Sequence, residues 1–134
     1  EVARVLQPGG AFVAVTHSEA DFSGLLGALG VASERSALRA LIRGFSAENG
    51  ADRLRPHFAT VTQHSYPNRL TFRAGDMTDF LTLIRFKAPH LVPAGGPAGD
   101  PTAIEEQARE VLRYTGSLVI EKDDAIFHCT GPRS

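Results

Sequence analysis

A Pro8-Gly9-Gly10 stop followed at once by an apolar run, Ala11-Phe12-Val13-Ala14-Val15-Thr16, is the feature that most constrains this chain. Upstream of it, Val2, Val5 and Leu6 fall at i, i+3 and i+4, so residues 1–7 read as the last turns of a helix. Pro and Gly just beyond a periodic segment end it. A short continuous apolar run bounded by glycines and polar residues is the pattern of a strand buried on both faces, as in a parallel sheet. Helix, tight turn and buried strand make an αβ unit, and the expected class is α/β. A helix of so few residues is marginal in water. Because the chain also opens on Glu1 rather than Met, the segment reads as the tail of a longer helix.

Composition narrows the function classes. The chain has 134 residues, enough for one domain at most. Its 14 Lys and Arg against 15 Asp and Glu give a formal net charge of −1. That balance offers no global attraction to nucleic acid or anionic lipid. The lone Cys129 cannot form an internal disulfide, so a disulfide-stapled secreted scaffold is excluded. No apolar run approaches the ~20 residues of a membrane span, and no signal-peptide pattern opens the chain. The expectation is a cytoplasmic chain.

The remaining elements follow from periodicity and punctuation. Ser18 is placed to cap a helix whose stripe is Phe22, Leu25, Leu26 and Leu29, with Gly30 as its stop. Ser33 is placed to cap the next, over 34–43, and Ala51 resumes helix to His57. Residues 59–66 and 70–73 read as two strands joined by a Tyr66-Pro67-Asn68-Arg69 turn, a hairpin or bent meander. Asp76 caps a helix to about Phe86. Residues 88–102, rich in Pro and Gly, read as a loop. Pro101 sits where a first helical residue should, and Gly116 ends that helix. Residues 117–121 and 125–129 are two β segments split by Lys122-Asp123-Asp124, either a hairpin or one interrupted strand.

The stretch from Arg4 to Thr16, a helix ending in Leu-x-Pro-Gly-Gly before an apolar strand, resembles the helix-to-fifth-strand junction of class I S-adenosylmethionine-dependent methyltransferases. Phe45-Ser46-Ala47-Glu48-Asn49-Gly50 looks like a stretch of the bacterial type-11/type-25 small-molecule group. Residues 120–127 resemble that group's closing strand, with Glu121 where Thr is usual and Ala125 where Gly is usual. The resemblance covers nearly the whole chain and implies the C-terminal part of a Rossmann-like methyltransferase fold. It would have one buried strand of the parallel sheet, antiparallel terminal strands and flanking helices. Residues 1–18 would be the helix end and fifth strand, 19–58 a helical cap, and 59–134 the terminal strands and helices. The family's glycine-rich cofactor loop and ribose-holding acid are absent from the sequence. S-adenosyl-L-methionine is therefore expected to bind mainly outside this segment, on a missing N-terminal half. The chain alone would be inactive.

In doubly wound sheets ligands sit at the carboxyl ends of strands. Thr16, His17 and Ser18 occupy that end of the 11–16 strand, and His17 is the candidate base or substrate-orienting group. The bland reading is a surface turn. Glu48 and Asn49 could line the substrate side, or could simply make the Asn-Gly turn and cap a helix. Phe22 and Phe45 are core residues that a substrate cap would also use. His57, His64, His90 and His128 show no metal-ligand spacing, and no metal is expected. Arg35, Arg39 and Arg43 form a stripe read as a solvated face rather than an RNA contact. The rival to an enzyme is an accessory or interaction domain. It would pair with a partner chain, or with itself as a homodimer through an exposed sheet edge.

Overall fold

A computed structural model describes residues 1–32, 36–91 and 100–133. The elements run α1 (Val2–Val5), β1 (Ala11–His17), α2 (Ser23–Ala28), α3 (Ala37–Ile42), α4 (Gly50–Leu54), β2 (Phe58–Arg73), a 3₁₀ turn (Ala74–Asp76), α5 (Met77–Leu91), α6 (Pro101–Thr115) and β3 (Ser117–Pro132). The three strands form one sheet in the order β1-β3-β2. Both neighbours of β3 pair with it antiparallel, Phe12 opposite Cys129 and Val61 opposite the same Cys129.

The alternation of β3 explains why helices lie on both sides of so small a sheet. Successive strand residues point to opposite faces. Leu118 and Ile120 enter the larger core with Phe22, Leu25, Leu26, Phe80, Ile84, Ala108 and Leu112. Ala125, Phe127 and Cys129, of the other parity, enter a smaller core with Leu54, Phe58, Phe12 and Phe45. The first half of β3 is thus covered on one face by α2, α5 and α6, and its second half on the other by α4. The face behind that second half stays open, and Val13 and Val15 on it are 56% and 64% exposed.

Local chemistry sets the helix limits. Asp100 accepts a hydrogen bond from the Thr102 N–H at 2.9 Å, Pro101 follows as the first helical residue, and Gly116 closes α6 at φ 71°. Ile104, Ala108 and Leu112, four apart, bury one face of α6. Arg85 of α5 makes a bidentate pair with Glu105 of α6, orienting the two helices at the surface. No described helix is long and apolar enough to cross a membrane.

Five expectations are corrected. The expected fold, with β1 as a buried strand of a parallel sheet, is not observed. Every strand pairing among the described residues is antiparallel, and β1 is an edge strand exposed on alternate residues. The run 11–16 looked continuously apolar because Ala11 and Ala14 do not reveal which face they occupy. There is no turn at Pro67: β2 passes straight through it, tolerated because β2 is an edge strand whose missing N–H need pair with nothing. Lys122-Asp123-Asp124 is no break either, since it pairs with Asn68, Pro67 and Tyr66 inside an unbroken β3. The helix expected from Ser18 starts only at Ser23. The Ser33 cap, Arg35 and most of the expected 88–102 loop, including its run of glycines, lie outside the described residues. Within that loop, however, α5 continues past Pro89 to Leu91.

Candidate functional site

The end of β1 is built from a turn that uses up its own backbone donors. The Ser18 N–H donates to Asp123 O at 2.7 Å, and the Asp21 N–H to Ser18 O at 3.0 Å. The Glu19 N–H donates to Glu48 Oε2 at 3.0 Å, and the Ala20 N–H to Ser18 Oγ at 3.1 Å. The turn ends at Phe22, which takes the left-handed conformation (φ 60°, ψ 8°) with its ring buried. For a residue other than glycine that conformation costs about 1–2 kcal/mol. It lets the chain reverse within a few residues and leaves Asp21 beneath the end of the strand.

His17, Asp124 and Tyr66 lie opposite one another across the three strands. Their side chains therefore share one face of the sheet. The His17 Nδ1 lies 2.5 Å from Asp124 Oδ1 and 3.6 Å from Asp21 Oδ2. Lys122 Nζ stands 3.9 Å from Asp124 Oδ2. The His17 side chain is 43% exposed, whereas that of Asp21 is 1% exposed. Both Asp21 oxygens lack a hydrogen-bond partner among the described residues. Burial pushes the Asp21 carboxyl above its ordinary range; His17 and Lys122 pull it down, Asp124 pushes it up, and Lys87 pulls it down. No hydrogen bond among the described residues occupies His17 Nε2, and the side chain as a whole is partly exposed.

A cavity of about 310 Å³ is lined by Ser18, Ala47, Gln63, Ser65, Pro67 and Asp123 among others. Ser65 lies opposite Ala125, which lies opposite Thr16, one residue out of step with the His17 row. The His17 ring does not line this cavity, although its partner Asp124 does. Thr16 is spent in place, its hydroxyl donating to Phe45 O at 2.5 Å. A larger, shallow hollow of about 700 Å³ beside Ala28, Gln107, Val111 and Tyr114 brings together none of the sequence candidates.

Glu48 and Asn49 are held by local bonds. The Ser18 hydroxyl donates to Glu48 Oε1 at 2.6 Å. Loss of hydration pushes the Glu48 carboxyl up. Hydrogen bonds from the Ser18 hydroxyl, the Glu19 and Glu48 amides and the Ser46 hydroxyl outweigh it and hold the group below its usual range. Asn49 Oδ1 accepts from the Ser46 N–H at 2.9 Å, and its Nδ2 donates to Arg43 O at 2.8 Å. Phe45 packs on Phe127 with ring centroids 5.6 Å apart, and Phe22 carries the Lys87 ammonium 4.9 Å above its ring. Of the sequence candidates, then, Ser18 and Glu48 bond to each other, Asn49 makes a turn, and both phenylalanines pack. His17 alone keeps a free polar atom. Arg43 and Arg39 meet Glu19 at 3.0 and 3.8 Å rather than forming a bare basic face.

Among the described residues, the turn after β1 offers no unbonded backbone for the expected cofactor. The amides after β1 are already bonded, and no glycine follows the strand to let a nucleoside approach the backbone. Among the described residues no three His, Cys, Asp or Glu side chains form a group able to hold a metal ion. No protein-family model matches the chain, and no curated protein matches it.

Sequence reasoning missed Asp21, Asp124 and Tyr66. Asp124 stood in what looked like a solvated turn, 107 positions from His17. Nothing local to either residue announces that pairing. Asp21 offered only the i, i+4 spacing from His17.

Proposed function

We propose that the chain is the substrate-side portion of a methyltransferase that uses S-adenosylmethionine and acts on a small molecule. His17 receives the proton of the methyl acceptor. The observation that carries this reading is the His17 imidazole, seated on Asp124 at 2.5 Å in a partly exposed side chain, with no hydrogen bond to Nε2 among the described residues. An imidazole anchored through one nitrogen presents the other as a proton acceptor near neutral pH. The methyl-transfer chemistry comes from the sequence resemblance around Pro8-Gly9-Gly10 and residues 45–50. The cofactor would be held by residues outside this segment. The acceptor would lie on the His17–Tyr66 face, because the cavity beside Ser65 does not contain the ring.

The test is expression with the coding sequence upstream of Glu1 included, followed by calorimetric titration of S-adenosylmethionine. The longer polypeptide binds the cofactor and transfers a labelled methyl group to members of a small-molecule acceptor panel; residues 1–134 alone give no saturable heat. Tight binding by the 134-residue chain would overturn the placement of the cofactor. Absence of binding by the longer polypeptide would overturn the enzyme reading.

A second reading has its own observation. β1 has an unpaired edge, and beside it Val13 and Val15 are exposed. An uncovered apolar edge strand invites another strand. An accessory domain that pairs with a partner chain or with itself would use that surface.

A further inference from the structure

We infer that Asp124 and Asp21 are positioning residues that form a two-carboxylate seat for His17, keeping a proton on Nδ1 so that Nε2 is the atom that accepts the substrate's proton. This deepens, and rests on, the reading of His17 as proton acceptor.

An ionised carboxylate only accepts hydrogen bonds. With Asp124 Oδ1 at 2.5 Å, the His17 Nδ1 must therefore carry the hydrogen, and the neutral ring is left with its lone pair on Nε2. Asp124 is kept in place from two sides. Its backbone belongs to the central strand, paired with His17 on β1 and Tyr66 on β2. Its second oxygen faces Lys122 Nζ at 3.9 Å, an ion pair that holds the carboxylate from the other side. A residue from the last strand thus fixes the ring at the end of the first.

Asp21 has a different part. Its carboxyl is enclosed, has no hydrogen-bond partner among the described residues, and points Oδ2 at the same Nδ1 from 3.6 Å. A buried carboxyl without donors is costly to maintain. The turn that holds it there also forces Phe22 into a left-handed conformation. Strain and an unsatisfied acid meeting at one point are features that functional sites retain. When Nε2 takes a proton, the ring becomes a cation next to Asp124 and Asp21, and both favour that charge. The groups facing this cluster are Lys122 from β3, Lys87 from α5 and Tyr66 from β2. Among the described residues, Asp124 and Asp21 are the carboxyls within 4.0 Å of a His17 ring nitrogen.

The test reads the ring itself. The ¹⁵N shifts of His17 in the 134-residue chain, above the pH at which the ring protonates, distinguish the two neutral tautomers. The expected result is an excess of the Nδ1–H form on the order of tenfold, the bias of one charge-assisted hydrogen bond. In Asp124→Asn that excess disappears. In Asp21→Asn it is reduced, because a negative charge facing Nδ1 from 3.6 Å is gone. A wild-type ring mainly in the Nε2–H form, or a tautomer ratio unmoved in Asp124→Asn, would overturn the seat. Should Asp21→Asn fail to fold, the wild-type and Asp124→Asn spectra still decide. The measurement needs neither cofactor nor acceptor. A seat found in a chain that transfers no methyl group would leave this inference standing and remove only the enzymatic one.

Discussion

Gly50 and Phe127 are in direct contact: a Cβ on Gly50 would lie 2.6 Å from both Cε2 and Cζ of the Phe127 ring. Phe127 is fully buried, Phe45 packs against it, and Phe45 Cε2 lies 3.3 Å from the same Cβ position, so the added carbon meets two packed rings. The contact sets how closely α4 approaches β3, and with it the position of the 45–49 turn against the end of β1.

Gly50→Ala therefore destabilises the chain even though alanine is the better helix former. Overpacking a filled core costs about 1–3 kcal/mol, against roughly 1 kcal/mol gained from helix propensity. Thermal melts should show a lower midpoint for Gly50→Ala, by several degrees. An unchanged or raised midpoint would mean that α4 is free to shift.

Asp21 works against stability at neutral pH. Its carboxyl is held above the ordinary value of 3.8, chiefly by burial, so folding favours the protonated form. A carboxyl shifted in that direction leaves the fold relatively more stable below the unfolded value, and that advantage is lost as pH rises through the folded one. Asp21→Asn is expected to raise stability at pH 8 by about 1 kcal/mol, since the buried charge disappears while an unsatisfied polar group remains. Denaturant titrations at pH 8 and pH 3 check this: the gain belongs to the higher pH and vanishes at the lower.

Glu48 has the opposite sign. Loss of hydration raises its carboxyl, but the bonds from Ser18, the Glu19 and Glu48 amides and Ser46 bring it below the ordinary value of 4.5. Its contribution is present above pH 4.5 and is lost as pH falls through the lowered native value. The group is exposed, so solvent screening keeps the effect below about 1 kcal/mol. Glu48→Gln should lower the urea midpoint at pH 7 and leave it nearly unchanged at the acid end of the range.

The open edge of β1 makes a prediction about association. If the chain pairs with itself, sedimentation will show a concentration-dependent dimer. Val15→Lys, a charge placed on an exposed position of that edge strand, will shift it to monomer without lowering the melting midpoint. A monomer at all concentrations would remove self-pairing through β1.

What could be read from the sequence was the local chemistry. Pro101 at the start of α6 and Gly116 at its end are legible because such signals sit within a turn of the residues they serve, whereas the Asp100 cap was not read. The stripe Ile104, Ala108 and Leu112 is legible for the same reason. Strand partners are not local. The choice of β3 as the neighbour of β1 depends on a segment more than a hundred positions away, and it turned an expected parallel sheet into an antiparallel one. Pro67 and Lys122-Asp123-Asp124 both look like turns in isolation. They pair with each other's strands, and the long ladder between β2 and β3 overrides their preferences. At the site, the position of His17 at a strand end was legible, but its partners were not. Asp124 reaches it across the sheet, and Asp21 through the turn that strains Phe22.

The central claim is that His17 takes a proton during methyl transfer. Its most direct test compares wild-type and His17→Ala polypeptides, with the sequence upstream of Glu1 included, for transfer of a labelled methyl group to an accepted small molecule across pH. The account predicts that His17→Ala loses roughly 10²–10⁴-fold in kcat, with little change in KM for S-adenosylmethionine. Transfer by His17→Ala at the wild-type rate would contradict it.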